Sequence, residues 1–374
     1  MLIYLDNSAT TKPCAEAVQA AKEAMETCWG NPSSLHDLGI AAERTLRTAR
    51  QQVSAALGCE AERVFFTAGG TEADNWAVFS AAERLKKRGN HIITTQIEHH
   101  AVLNPVKHLQ QQGFDVTYLA PDADGRVPLD ALRQALRPDT ILVSVMLVNN
   151  ETGAVQPIEA MAKLTHKHCP NALFHTDAVQ ALFHVPFRAS MLGADLISVS
   201  GHKVHGVKGA GALYIRRGLS LPPYLHGGGQ ESGYRSGTEA VPAVAAFGAA
   251  CAALQPQAIA DMGAMRSKKE ALKTLLSSMA DVTCIGASDA PHILSLSVAG
   301  VRSQGLINCL QDEGVFVSAG SACAKGHRSH VLEAMGVAPE IIDGAIRVSL
   351  SRDTTEQELE QFVKALQTAI VRLK

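Results

Sequence analysis

Residues 173–177 read Leu173-Phe174-His175-Thr176-Asp177, and residues 196–203 read Leu196-Ile197-Ser198-Val199-Ser200-Gly201-His202-Lys203. Each is a short apolar run that stops at a polar turn, the pattern of a strand buried on both faces. The same signature recurs at Ile92-Ile93-Thr94-Thr95, at Val116-Thr117-Tyr118-Leu119 and over Ile141 to Val148. Helix-length stretches lie between these runs. Leu129 to Leu136 is one, with Asp130 or a neighbour as its N-cap; Glu43 to Leu57 is another, with Leu46, Ala49, Val53 and Ala56 on one face and Gly58 as C-cap. Strand–helix alternation predicts an α/β fold built on a mostly parallel sheet with helices on both faces.

Beyond Gln255-Pro256-Gln257 the alternation gives way to a charged helix (Arg266 to Leu275), short strand candidates around Leu294 and Val315, and a closing helix from Thr355 to Leu373. The expected organisation is a large α/β domain over 16–255 and a smaller α+β domain made of 1–15 and 256–374. A chain of 374 residues suits two or three domains of roughly 100–200 residues each.

Composition narrows the function. The chain is 46% hydrophobic and 19% charged, which suits a globular protein with a sizeable core. Thirty-four basic against thirty-six acidic residues leave no excess positive charge for a phosphate backbone, so nucleic-acid binding is not expected. The start, Met1-Leu2-Ile3-Tyr4-Leu5-Asp6, lacks a basic leader, and the longest apolar run, Ala240 to Leu254, falls short of the roughly 20 residues of a membrane span. A cytoplasmic protein with no membrane contact is expected. The eight cysteines are never closer than fourteen residues, which excludes CxxC motifs. Most of them read as small core residues.

Three features carry chemistry. Val64-Phe65-Phe66-Thr67-Ala68-Gly69-Gly70-Thr71 is a strand, a glycine turn and a helix start, a place where backbone N–H groups favour an anion. It matches neither the dinucleotide fingerprint nor a Walker A loop, which disfavours a nicotinamide enzyme. Asp177 and Lys203 stand at the carboxyl ends of two buried strands, where open α/β sheets bind ligands. Singly, each is best read as a structural ion-pair residue. With the glycine turn as a third element they suit pyridoxal phosphate, a lysine taking its aldehyde and an acid its pyridine nitrogen. His99 can lie over such a ring, and Asn150 can bond a phenolate or a carboxylate; His100, His202 and His205 read as surface or supporting residues. The third feature is Val317-Ser318-Ala319-Gly320-Ser321-Ala322-Cys323-Ala324-Lys325-Gly326-His327. Its small residues predict an accessible loop, and Lys325, His327 and Arg328 favour the thiolate of Cys323, a nucleophile.

Taken in order, residues 4–11 (YLDNSATT), the Ala68–Glu72 turn, Glu98-His99, Asn149-Asn150-Glu151, Asp177–Gln180, Ser200–Lys203, Arg235–Thr238, Ser321–Cys323 and Ile346-Arg347 resemble the cysteine desulfurases of the NifS/IscS type, within the class V aminotransferase superfamily and PLP fold type I. The resemblance covers nearly the whole chain. It implies Lys203 as the Schiff-base lysine, Asp177 as the pyridinium partner, His99 stacked on the ring and Gln180 on its phenolic oxygen. Gly70, Thr71, Ser200 and His202 would hold the phosphate, with Thr238 reaching it from the other subunit of a homodimer. Asn150 and Arg347 would hold the substrate carboxylate. Lys203 would then take the Cα proton of L-cysteine, and Cys323 would attack its sulfur, leaving a persulfide and releasing L-alanine.

The loop after Cys323 is slightly shorter than the longest in that family, and Lys374 follows the last helix without the extension some members use to dock an iron–sulfur scaffold. The acceptor is therefore open between an iron–sulfur scaffold, a dedicated partner and a tRNA or cofactor thiolation pathway. A selenocysteine lyase would use the same pocket, and a PLP-retaining, non-catalytic sulfur carrier is the rival from outside enzymes. A transaminase has no use for an exposed nucleophilic cysteine.

Overall fold

The computed structural model describes residues 2–319 and 328–374. A first strand, β1 (Ile3–Tyr4), is followed by two helices, Ala15–Glu26 and Asp37–Leu57. The second helix starts six residues earlier than its apolar stripe suggests, and it ends as expected on Gly58 in the left-handed conformation (φ 68°).

The central sheet has seven strands: β2 (Val64–Thr67), β3 (His91–Thr95), β4 (Asp115–Leu119), β5 (Thr140–Ser144), β6 (Leu173–Asp177), β7 (Leu196–Ser200) and β8 (Gly211–Ile215). Their order is β2-β8-β7-β6-β5-β3-β4. All pairings are parallel except those of β8, which runs antiparallel to both β2 and β7. The sheet is therefore mostly parallel, as the alternation predicts, and β2 points the same way as β7.

Adjacent residues of each strand enter different cores, as the two-residue period of a pleated strand requires. Phe66, Ile93, Val143, Phe174, Ile197 and Ala212 pack into one apolar cluster with the helices Asp37–Leu57, Ile158–His168 and Val241–Leu254. Their neighbours Phe65, Ile92, Leu142, Leu173, Leu196 and Leu213 pack into another with the helices Gly70–Leu85 and His100–Gln111. Burial on both faces is the reason these strands read as unbroken apolar runs.

One boundary and one cap can be compared with expectation. The run Ile141 to Val148 is regular strand only to Ser144; beyond it Val145 and Leu147 still donate to the His175 and Asp177 carbonyls of β6, and the segment carries Met146 and Val148 to the ligand end of the sheet. Helix Leu129–Ala135 is capped at Pro128 with no side-chain bond, while Asp130 pairs with Arg133 inside the first turn.

The rest of the chain adds β9 (Val282–Ile285), β10 (Ile293–Val298), β11 (Val315–Phe316) and β12 (Ala345–Ser349). An antiparallel sheet has the order β12-β10-β9, and β1 pairs in parallel with β11. Ile3 and Leu5 thereby join a third core with Leu294, Leu296, Ile346, Val348 and Phe362. We propose the division into 16–255 and 1–15 plus 256–374 on the ground of this separate core. The closing helix, Glu356–Leu373, opens on a capping box between Thr355 and Glu358.

The apolar run at Ala240–Leu254 continues through a 3-10 turn into helix Ala258–Ser277, so this stretch is long and apolar enough for a membrane span by length and composition. Helix Val241–Leu254 instead spends its apolar surface inside the protein, burying Val244, Ala246, Phe247, Ala250, Cys251 and Leu254. Gly248 sits where a Cβ would come within 2.6 Å of the Ala49 backbone, so the residue sets how closely this helix approaches Asp37–Leu57.

Candidate active site

The carboxyl ends of β2, β3, β5, β6 and β7 open on one cavity of ≈ 250 Å³. Ten residues singled out from the sequence line it: Gly70, Thr71, His99, Asn150, Asp177, Gln180, Ser200, His202, Lys203 and Arg347. Thr238 is exposed on the loop before helix Val241–Leu254 and is not among the lining residues. Cys323 lies outside the described residues.

After β2 the chain turns at Gly69 and enters a 16-residue helix at Gly70, whose cap offers no side chain to the first N–H groups. Those donors and the positive end of the helix face the cavity. A Cβ at position 70 would meet Val179 Cγ2 at 2.7 Å and Ser200 Cβ at 3.5 Å, so glycine keeps this floor open.

Asp177 is the last residue of β6, and Val179 N–H donates to its Oδ1 at 2.9 Å. Burial, with the nearby charge of Asp74 added, pushes the Asp177 carboxyl up to about 7. A cation in the cavity would reverse that shift. Lys203 follows β7 in a single 3-10 turn and donates from Nζ to the main-chain carbonyls of Ser8 and Ala9, the second at 2.8 Å. His202 in the same turn bonds Thr10 Oγ1 through Nδ1 at 3.1 Å. Burial and the Lys203 charge hold its imidazole down to about 4.

His99 caps helix His100–Gln111, its Nδ1 accepting from Ala101 N–H at 3.1 Å. Burial, then Lys203, lowers it to about 4, so the ring is neutral at physiological pH. Gln180 donates from Nε2 to Ser8 O at 2.9 Å, and its Oε1 lies 3.3 Å from His292 Nε2. An amide oxygen only accepts, so His292 donates there. The buried Arg347 lies 2.8 Å from both Asp6 Oδ1 and the Asn150 main-chain oxygen.

Two buried polar atoms of cavity-lining residues, Ser200 Oγ and Ser8 Oγ, have no hydrogen-bond partner among the described residues. Unsatisfied buried polar groups are costly, so a polar ligand is the natural complement of this wall.

Of the residues read as surface or supporting, His100 lines the cavity, its ring 4.8 Å from that of His330, and His205 is buried and bonded to Lys12 O at 2.9 Å, so both take the supporting place. Arg328 pairs with Asp343 through two bonds of 2.7 and 2.9 Å; the Cys323 thiolate it is expected to favour lies outside the described residues. Of the other seven cysteines only Cys169, Cys251 and Cys309 are buried; Cys14, Cys28 and Cys59 are half-buried and Cys284 is exposed on β9.

The sequence reading gave no role to Ser8, Asp74, Glu98, Glu151 or His330. Asp74 was legible: three residues after Thr71, it falls on the same helical face. Glu98 accepts from Thr95 Oγ1 (2.7 Å) and Met146 N–H (2.9 Å), and burial pushes it up to about 8. Ser8 lies in the 4–11 stretch but was given no role of its own, and His330, near the other end of the chain, carries no local signal.

The aminotransferase class-V family matches residues 3–362. The cysteine desulfurase IscS of Methanosarcina thermophila is 39% identical over 382 residues, covering all of this chain and 93% of its own. A solved NifS-like protein superposes with a TM-score of 0.95 at 37% identity, covering 100% of both chains. The solved structure of SspA in complex with cysteine gives a TM-score of 0.82 at 30% identity, covering 94% of this chain and 99% of that one. A full-length match of this kind, on a sheet whose strand ends gather the residues described above, places the chain in the class-V aminotransferase family, among the cysteine desulfurases of the NifS/IscS type.

Proposed function

We propose that this enzyme binds pyridoxal phosphate in the cavity at the strand ends and converts L-cysteine to L-alanine, leaving the sulfur on Cys323 as a persulfide. The observation that carries the reading is the convergence of Asp177, Lys203 and the Gly70 helix start on one cavity.

The residues present fit the cofactor. A helix start without a side-chain cap, the unpartnered Ser200 hydroxyl, Thr71 and His202 form a donor set for a phosphate. Asp177, raised by burial, gains from a protonated ring nitrogen beside it. Neutral His99 offers a flat face, Gln180 a fixed amide for the phenolic oxygen, and Lys203 the amine that takes the aldehyde. Bound pyridoxal phosphate supplies the electron sink that makes the substrate Cα proton acidic.

The chain's own groups do the rest. Arg347 and Asn150 orient the substrate carboxylate. With substrate bound, the Lys203 amine would be free to take the Cα proton, and its place at the strand end would hold it beside that carbon. Cys323 thiolate attacks the substrate Sγ. The Cβ–Sγ bond breaks, its electron pair stays with the carbon side, and sulfur leaves with its hydrogen as the Cys323 persulfide. Protonation at Cβ, and return of a proton from Lys203 to Cα, complete L-alanine.

A homodimer is part of the proposal. Val18, Met25, Trp29 and Leu35 are exposed apolar residues close in sequence, Leu35 at 95%. Pro32 and Ser33 share a groove with Gly228, Gly229 and Glu239, so this apolar segment borders the loop that carries Thr238. That face suits a second copy, into whose phosphate site Thr238 would reach. The seven described cysteines are all unpaired, which suits a reducing cytoplasm. The persulfide would pass to an acceptor protein of iron–sulfur assembly or thiolation.

The deciding experiment is mass spectrometry of the purified protein after incubation with L-cysteine. A gain of one sulfur on Cys323 with stoichiometric alanine is expected. Turnover of selenocysteine alone would overturn the reading in favour of a lyase, and a protein that neither binds pyridoxal phosphate nor forms alanine would overturn it outright.

A further inference from the structure

The loop that carries Thr238 is fastened to its own chain at three points, one of them beside the phosphate turn. Arg235 makes a two-pronged ion pair with Glu72, Nε to Oε1 at 2.7 Å and Nη2 to Oε2 at 3.2 Å. Glu72 is the residue after Thr71, in the first turn of helix Gly70–Leu85, and its Oε2 also accepts from Ala68 N–H at 3.0 Å. Glu231, four residues before Arg235, holds Arg50 at 2.7 and 2.8 Å and accepts from Phe66 N–H on β2 at 2.9 Å. Tyr234 packs edge-on against Phe65, with centroids 5.1 Å apart, and Tyr224 stacks on Trp76 at 6.2 Å.

The loop is also tied to itself. Tyr224 N–H bonds Tyr234 O at 2.8 Å, Ser236 N–H bonds Leu225 O at 3.1 Å, and Gly237 N–H bonds Gln230 Oε1 at 2.9 Å. Glu231 and Ser232 adopt left-handed conformations (φ 48° and 59°). Such conformations are costly for non-glycine residues and persist only where the surroundings over-determine them. Three residues beyond the Arg235 anchor stands Thr238, exposed and outside its own chain's cavity.

Resting on the homodimer reading above, we infer that Arg235, through Glu72, is a positioning residue that acts in trans. It fixes the loop on one subunit so that Thr238 meets the phosphate held by the other. Glu72 closes the turn by accepting from Ala68 N–H and in the same geometry holds Arg235, which offsets its charge beside the anion site. The two phosphate turns of the dimer are then braced against one another through each other's loops.

Subunit complementation tests the inference, read as pyridoxal phosphate affinity by visible absorbance of reconstituted apoenzyme. Arg235→Gln and Thr238→Val homodimers should each bind the cofactor several-fold more weakly than the wild type. Lys203→Ala homodimers should give no lysine-dependent band. Hybrids, isolated by two different affinity tags, pair an Arg235→Gln chain with a Lys203→Ala chain. They contain one site with an intact lysine and an intact loop from the partner. That site should bind at wild-type affinity, as should the corresponding site of a Thr238→Val hybrid. If Thr238→Val is rescued and Arg235→Gln is not, Arg235 acts within its own chain and the inference is overturned. If the protein sediments as a monomer, or Thr238→Val binds normally, the dimer reading itself fails and takes the inference with it. Arg235→Lys, which keeps the charge and loses the fork, should show the same trans rescue and serves where Arg235→Gln is insoluble.

Discussion

Arg347 and Asp6 stand 341 residues apart in sequence, and their side chains meet at 2.8 Å, the arginine 2% exposed. The contact closes the chain on itself. It brings the segment after β1 against β12, and it fixes the guanidinium at the cavity wall with Nη1 on the Asn150 carbonyl at 2.8 Å. A planar cation held on two sides presents a preset fork to a carboxylate.

Arg347→Lys should therefore separate substrate binding from cofactor binding. Hydrogen bonds to charged groups contribute about 1.5–3 kcal/mol, so KM for L-cysteine should rise roughly 10- to 100-fold. Cofactor affinity, measured by absorbance titration, should be unchanged. Loss of cofactor binding in this variant would remove Arg347 from the substrate side of the site.

Ser200→Ala makes the opposite separation. The Ser200 hydroxyl is buried and has no protein partner among the described residues, so its removal costs the empty fold nothing in hydrogen bonding. The cofactor-free variant should melt at or above the wild-type temperature while binding pyridoxal phosphate about tenfold more weakly. A fall in melting temperature with normal cofactor affinity would make this serine structural.

The buried acids predict a pH dependence with a definite sign. Asp177 and Asp74 are raised to about 7 and Glu98 to about 8, all chiefly by burial. A raised acid contributes stability that is present below its unfolded pKa, near 4, and is lost as pH rises through the folded value. His99, His175 and His202 are lowered to about 4, and stability from a lowered histidine is complete above about 6.5. The two sets oppose one another below that pH, and only the acids act above it. Cofactor-free protein should lose melting temperature between pH 6.5 and 8. Glu98→Gln keeps the contacts to Thr95 and Met146 and should flatten the slope. A flat wild-type profile would show that these carboxyls titrate normally.

How far the sequence reveals the site follows from the same chemistry. Asp177 and Lys203 were legible because a strand buried on both faces is an apolar run, and the first polar residue beyond it marks the ligand edge. The end of β5 was not, because Val145 to Val148 stay apolar past the last regular strand residue, Ser144: they line the cavity and the core at once. β12 escaped notice because Arg347 interrupts its apolar run, and the Asp6 that allows a charge to be buried there lies 341 residues away. The carbonyls of Ser8 and Ala9 that receive Lys203 lie 195 and 194 residues away, beyond any local pattern. Helix Ala258–Ser277 outran its expected length because its buried face is narrow, only Met265, Lys269, Leu272 and Leu276.

The floor of the phosphate turn supplies the last prediction. A Cβ on Gly70 would sit 2.7 Å from Val179 Cγ2, closer than real Cβ contacts come. Valine is branched at Cβ and cannot swing that methyl aside freely, so the added atom must push either the helix start or the Asp177–Val179 turn. Val179 N–H is the donor that holds Asp177 Oδ1, which links the two ends of the cofactor through one residue. Gly70→Ala should thus weaken pyridoxal phosphate binding and blur the pH response of its absorbance, since both phosphate and ring nitrogen lose their register. Alanine in place of valine frees the space without touching the main-chain donor. Gly70→Ala/Val179→Ala should therefore recover most of the lost affinity, and the two changes should be non-additive, as contacting residues are. If the double variant binds no better than Gly70→Ala alone, the clash with Val179 is not what glycine avoids. The requirement would then lie in the backbone approach of the phosphate itself.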